Sequence, residues 1–175
     1  MGEFTIERGN IFNYAKKVDY ITVPTNSVGT MGGGLAYQFM RHKNYAANCI
    51  EYNALSASLQ KKEREFDKFN NLAAGLSDAD GFKLIKPLIS GTPKEDGVLF
   101  FPTKIHFKRP SEMAFIDLGF KILNDDPDLE GKTFAMPLLG AGLGGLNPME
   151  VEERMKYLTS ISSFNVVLVK PNGIV

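Results

Sequence analysis

The run Gly29-Thr30-Met31-Gly32-Gly33-Gly34 limits the fold of this chain more than any other stretch. It follows the apolar segment Tyr20-Ile21-Thr22-Val23-Pro24-Thr25-Asn26 and leads into Leu35-Ala36-Tyr37-Gln38-Phe39-Met40, so it reads as strand, glycine loop, helix. The first N–H groups of a helix have no internal partner and lie at the positive end of its dipole. Glycines let such a backbone approach an anion closely, because no Cβ intervenes and positive φ costs little. A second loop of this kind, Gly140-Ala141-Gly142-Leu143-Gly144-Gly145-Leu146, follows the apolar stretch 134–139 and precedes another helix. Two such loops at two strand ends point to one ligand with two phosphates, held from both sides.

The remaining pattern supplies the frame for these loops. Segments 4–8, 19–24, 98–103, 132–139 and 165–169 read as strands, and 82–89 as a further strand, preceded by a turn at 77–81. The loop 90–97 then serves as a hairpin connection between 82–89 and 98–103. Helix formers dominate from Gly34 to about 76, broken at 41–44, with a long helix from Ala46 to about 70. Its charged run 61–65 reads as a solvated face. Ser111-Glu112 can cap a helix reaching about 124, with Met113, Phe115, Ile116, Phe120 and Leu123 on one side. Asn147-Pro148-Met149-Glu150 combines an N-cap, a first-turn proline and a capping-box acid, opening a helix to about 162. Strands interleaved with helices give an α/β fold, and uninterrupted apolar strands give a sheet covered on both faces. In such sheets ligands bind beyond the carboxyl ends of the strands, where both glycine loops fall.

A chain of 175 residues is the size of one domain. No repeat, low-complexity tract or linker divides it. Its 20 basic and 20 acidic side chains cancel, which removes any general pull toward nucleic acid or anionic membrane. The single cysteine, Cys49, cannot form an internal disulfide. No apolar run approaches the roughly 18 residues that span a bilayer, and the first residues lack a signal-peptide core. These features fit a cytoplasmic monomer. No Cys/His cluster has metal-ligand spacing, and no motif calls for a cofactor.

The order of these pieces resembles the macrodomain family, ADP-ribose-binding proteins with a three-layer α/β/α fold. Four segments carry the resemblance: Gly9-Asn10-Ile11; Asn26 through Ala36; Phe101-Pro102-Thr103-Lys104-Ile105-His106-Phe107-Lys108 with Ser111 beyond; and Pro137 through Leu146. The third segment is similar to the branch of terminal ADP-ribose glycohydrolases and DNA ADP-ribosyl glycohydrolase antitoxins. The resemblance implies a single macrodomain with a mixed central sheet, elaborated at about 60–97. There are departures. The antitoxin pattern has a Lys at Gly33, Asp-Trp at Asn147-Pro148 and Trp at Phe107, and the terminal glycohydrolases carry an Asp at the position of Gly144.

On this resemblance Lys104 is the nucleophile that attacks the anomeric carbon of the distal ribose, with Asn26 beside it on a ribose hydroxyl. A lysine of ordinary pKa, about 10.4, is only about 0.04% neutral at pH 7, and each unit of depression raises that about tenfold. The other reading of Lys104 is a cation that pairs with the diphosphate or a solvated strand end. Asn26 has an amide that both donates and accepts, although Asn-Ser-x-Gly is also ordinary turn chemistry. His106 can move a proton, or serve structurally by stacking. His42 has no partner in sequence and reads as surface. The resemblance places Asn10 at the adenine. It places Ile11, Gly29, Met31, Gly32, Gly33, Gly34, Leu35, Thr103, His106, Gly140, Ala141, Gly142, Leu143, Gly144, Gly145 and Leu146 around the ligand.

Three functions are compatible with these residues. The first is removal of ADP-ribose from a modified macromolecule, with DNA favoured by the Pro-Thr-Lys-x-His segment. The second is ADP-ribose binding without cleavage, and the third is hydrolysis of ADP-ribose 1″-phosphate.

Overall fold

Five strands form one sheet in the order β1-β5-β4-β2-β3, and every described pairing in it is parallel. The fold comes from a computed structural model that describes residues 1–26, 33–64, 78–91, 96–104 and 110–172. In chain order the elements are β1 (Phe4–Arg8), a 3₁₀ turn (Ile11–Tyr14), β2 (Tyr20–Asn26), α1 (Gly34–Arg41), α2 (Ala46–Arg64) and α3 (Asp78–Ser90). There follow β3 (Val98–Lys104), α4 (Met113–Asn124), a 3₁₀ turn (Pro127–Leu129), β4 (Thr133–Met136), α5 (Pro148–Ser160) and β5 (Asn165–Lys170).

The expected mixed sheet is therefore corrected to a parallel one. Helix α3 covers 78–90, in place of the strand expected at 82–89 and most of the turn expected before it. Leu84, Ile85, Leu88 and Ile89 are all buried, a pairing of positions four apart that suits one helix face, despite Pro87 within it. With no strand there, the hairpin with β3 disappears. The path from β2 to β3 becomes a helical crossover, which brings the chain back to run parallel. The helical stretch expected from Ala46 is α2, and its continuation at 65–70 lies outside the described residues.

Alternate residues of β3 show why helices cover both faces. Phe100 stacks on Tyr52 of α2, with ring centroids 4.7 Å apart, while its neighbour Phe101 meets α4, edge-on to Phe120 at 6.1 Å. Successive side chains on a strand point to opposite faces, so α2 and α4 lie on opposite sides of the sheet. On the α4 side, Phe120 and Phe134 both pack on Phe164. Helix α4 approaches β3 so closely that a Cβ on Gly119 would lie 2.1 Å from Phe101 Cζ. Gly119→Ala gains about 1 kcal/mol in helix propensity but overpacks a buried ring. We expect a net loss of about 1–2 kcal/mol, read as a lower denaturant midpoint at unchanged slope.

The cap of α5 is as expected: Asn147 Oδ1 accepts from Met149 N–H at 2.9 Å and from Glu150 N–H at 3.3 Å, with Pro148 in the first turn. Helices α4 and α5 are joined by a two-pronged Arg154–Asp117 pair, Nε to Oδ1 at 2.7 Å and Nη2 to Oδ2 at 2.9 Å. No helix among the described residues is long and apolar enough to cross a membrane.

Strand order fixes where a ligand can sit. From β2 the chain moves to β3 on one side, then returns across to β4 and proceeds to β5 on the other. The reversal lies between β2 and β4, and such switch points open a crevice at the carboxyl ends of the strands. Strands β2 and β4 pair only at Tyr20–Phe134 and Ile21–Ala135. Beyond those residues they form no ladder among the described residues, and in the sequence a glycine-rich stretch follows each.

Candidate active site

Asn26 and Lys104 end two adjacent strands and are partners in the register. The ladder slips between Thr25, opposite Pro102, and Asn26, opposite Lys104, so that Thr103 is the extra residue. This irregularity brings the two candidate catalytic residues level at the carboxyl edge of the sheet, beside the β2–β4 crevice.

Asn26 is held firmly. It is only 3% exposed, and its carbonyl accepts the Tyr52 hydroxyl at 2.9 Å. Burial raises the pKa of the Tyr52 phenol, so it remains a donor throughout the accessible pH range. Tyr52 was not legible as a site residue. The one signal is the spacing Cys49, Tyr52, Ser56 along α2, continued by Tyr45 just before it, all four buried, which marks the inward face. Tyr52→Phe leaves a buried carbonyl without this donor and should cost about 1–3 kcal/mol. A chemical-denaturation midpoint equal to that of the intact protein would show that Asn26 does not depend on this bond.

Lys104 is half-buried, and that burial lowers its pKa from the ordinary lysine value. Among the described residues it makes no ion pair, and no carboxylate there opposes the shift. The residue before it, Thr103, is 3% exposed. Its hydroxyl meets Ser111 Oγ at 3.2 Å and, in a long bond of 3.5 Å, the Thr25 carbonyl. Ser111 does not cap α4. Glu112 holds the N-cap position without a side-chain bond, and Ser111 turns inward instead.

The second glycine loop rests on Ser111. Its N–H donates to the Gly144 carbonyl at 2.9 Å, and Leu146 N–H closes the loop onto the Gly140 carbonyl at 3.0 Å. Gly140 and Gly145 have φ of +72° and +81°, values that suit glycine. Ala141 N–H is used within the loop, on Leu138. The N–H groups of Gly142, Leu143 and Gly144 donate to no backbone carbonyl among the described residues, which leaves three successive amides available to an anion. Gly144 itself is buried, and a Cβ there would lie 2.1 Å from Ser111 Oγ.

Of the first loop, Gly29, Met31 and Gly32 lie outside the described residues, as does His106. Gly33 caps α1 without a side chain, Gly34 follows at φ +58°, and Leu35 begins the helix half-buried. The two loops meet here. Leu143, 75% exposed, sets its Cδ1 only 2.9 Å from where a Gly33 Cβ would stand and 3.3 Å from that of Gly34.

Asn10 and Ile11 lie apart from this pair, at the end of β1. Asn10 Oδ1 accepts Phe12 N–H at 3.0 Å, which caps the 3₁₀ turn, and Ile11 is buried in the core. The turn packs against β2 and β4, so it borders the same end of the sheet. His42 is not the surface residue expected. It is half-buried, stacks on Phe12 with centroids 4.8 Å apart and planes 14° apart, and accepts Asn44 N–H on Nδ1 at 3.1 Å. Phe12 is far away in sequence, so nothing local announced this partner.

No family model matches this sequence. A DNA ADP-ribosyl transferase–DNA ADP-ribosyl glycohydrolase fusion protein of Thermosipho africanus is 35% identical over 160 residues, which cover 85% of this chain and 37% of that protein. The chain thus spans little more than a third of the curated relatives it matches. Among solved structures, the macrodomain of Thermus aquaticus DarG superposes with a TM-score of 0.67 at 25% identity, covering 98% of this chain and 100% of that one. Thermosipho africanus DarTG in complex with ADP-ribose gives 0.62 at 27% identity, over 95% of this chain and 42% of that one. By these likenesses the chain has the fold of a macrodomain, and a macrodomain of the DarG branch fits it.

Proposed function

We propose that this chain is an ADP-ribosyl glycohydrolase that removes ADP-ribose from modified DNA, with Lys104 as nucleophile and Asn26 as its neighbour on the distal ribose. The observation that carries the reading is the level pairing of Asn26 and Lys104 at the carboxyl edge, next to a switch-point crevice flanked by two glycine loops. The free amides of the second loop and the uncapped start of α1 suit a diphosphate, which fixes the distal ribose near the lysine. The neutral Lys104 amine attacks the anomeric carbon. The glycosidic bond breaks with its electron pair passing to the leaving base, which takes up a proton. Water then attacks the same carbon, frees ADP-ribose and regenerates the amine.

Two features support DNA as the target: the Pro-Thr-Lys-x-His pattern and the likeness to named DNA ADP-ribosyl glycohydrolases. A net charge of zero means that recognition rests on the ADP-ribose group more than on many backbone phosphates. The test is release of ADP-ribose from mono-ADP-ribosylated single-stranded DNA, with ADP-ribose affinity measured by calorimetry on the same protein. Binding without release sinks the DNA hydrolase. One observation favours that second reading, a pure ADP-ribose reader: the second loop has no space at Gly144 for an acid.

A further inference from the structure

Ser111 stands between the two halves of the site, and no part of the mechanism above uses it. It is 4% exposed. Its N–H holds the second glycine loop at Gly144, and its hydroxyl holds Thr103, the residue before Lys104. The Glu112 N–H adds a bond of 3.2 Å to the Thr103 carbonyl, so the chain leaving β3 after Lys104 is pinned where it returns. Ser111 Cβ also lies 2.8 Å from where a Gly140 Cβ would stand, so the serine fills the space beneath both glycines. One small side chain thereby links the loop suited to the diphosphate with the strand end that bears the amine.

We propose that Ser111 is a positioning residue that sets the anomeric carbon on the Lys104 amine by tying the second glycine loop to the end of β3. The proposal rests on the glycohydrolase reading for its chemistry, but the mechanical coupling stands on the bonds just described. In Ser111→Ala the backbone bond to Gly144 survives, so the loop still binds a diphosphate, while the link to Thr103 is lost. The reacting groups then lose mutual alignment without losing their separate contacts. A misplacement near 1 Å is worth roughly 10- to 100-fold in rate.

The experiment compares intact protein, Ser111→Ala, Thr103→Val and the double variant. We expect kcat on ADP-ribosylated DNA to fall roughly 10- to 100-fold in Ser111→Ala, with the dissociation constant for ADP-ribose within about threefold and melting temperature nearly unchanged. The double variant should be no worse than the poorer single one, because both remove the same bond. A merely structural serine predicts the opposite pattern: kcat intact, or affinity and stability lost together with it.

Amide hydrogen exchange supplies a readout that needs no turnover. Adding ADP-ribose should slow exchange in the 140–146 loop and at the end of β3 in the intact protein, but only in the loop in Ser111→Ala. Equal protection of both segments in both proteins overturns the proposal. Coupled protection without turnover retains the positioning role and overturns the hydrolase alone. Failure of the intact protein to bind ADP-ribose overturns both.

Discussion

Lys104→Ala is expected to abolish release of ADP-ribose from modified single-stranded DNA, by on the order of 10³-fold or more, while free ADP-ribose still binds. The separation follows from position. The amides suited to the diphosphate belong to 142–144 and to the start of α1, neither of which depends on the Lys104 side chain. The fold should not suffer, because burial of the ammonium is a cost that the alanine removes. Lys104→Arg retains a cation at the strand end but offers no neutral amine at ordinary pH, so it should be as inactive as the alanine variant. An active Lys104→Arg protein would assign the position to diphosphate pairing and end its candidacy as nucleophile.

The pH dependence of single-turnover release gives an independent check. Only the neutral amine attacks, so the rate climbs with pH and levels off above the lysine pKa. Burial lowers that pKa, so the midpoint of the climb must lie below the ordinary lysine value. Stability follows the same sign. A lysine with a depressed native pKa binds fewer protons folded than unfolded, so its ammonium form opposes folding at low pH. That cost is relieved as pH rises from the depressed pKa toward the ordinary one. A rising limb that persists unchanged in Lys104→Ala would belong to another group.

What was legible in the sequence was local. The second glycine loop, the Asn147 cap of α5 and the strands β2, β3 and β5 each depend on residues close together in the chain, and each is where the pattern placed it. The segment 82–89 was misread for a physical reason. A short apolar run satisfies a strand or a buried helix face equally, and α3 forms although Pro87 lies within it. That one error also produced the expected hairpin with β3. The support around the site was hidden because it is non-local: Tyr52 reaches back to Asn26, Phe12 forward to His42, and Ser111 across to Gly144. The resemblance named Asn26 and Lys104 as candidates, but their level pairing depends on a slip in the β2–β3 ladder that no motif contains.

Gly144→Ala should collapse the second loop, with a fall in ADP-ribose affinity of at least about 30-fold and a loss of about 1–3 kcal/mol in stability. For a chain of this size that corresponds to a melting temperature lower by roughly 2–10 °C. The backbone at Gly144 is not in the left-handed region, so the demand for glycine is one of space alone. The added Cβ would lie 2.1 Å from Ser111 Oγ and 2.5 Å from the Gly140 carbonyl oxygen. Neither neighbour can yield cheaply: Ser111 is held by Thr103, and the Gly140 carbonyl already closes the loop on Leu146. Gly142→Ala is the matched control. A Cβ there meets nothing within 4 Å and φ is ordinary, so the melting temperature should stay within about 2 °C. Any affinity lost in Gly142→Ala without loss of stability then reports a clash with the ligand itself. Equal melting temperatures for the two variants would mean that Ser111 and Gly140 do not confine Gly144. The same contacts explain why the loop acid of the terminal glycohydrolases has no counterpart here. Aspartate carries the same Cβ that alanine does, so Gly144→Asp should damage the loop as Gly144→Ala does, and supply no second catalytic group in exchange.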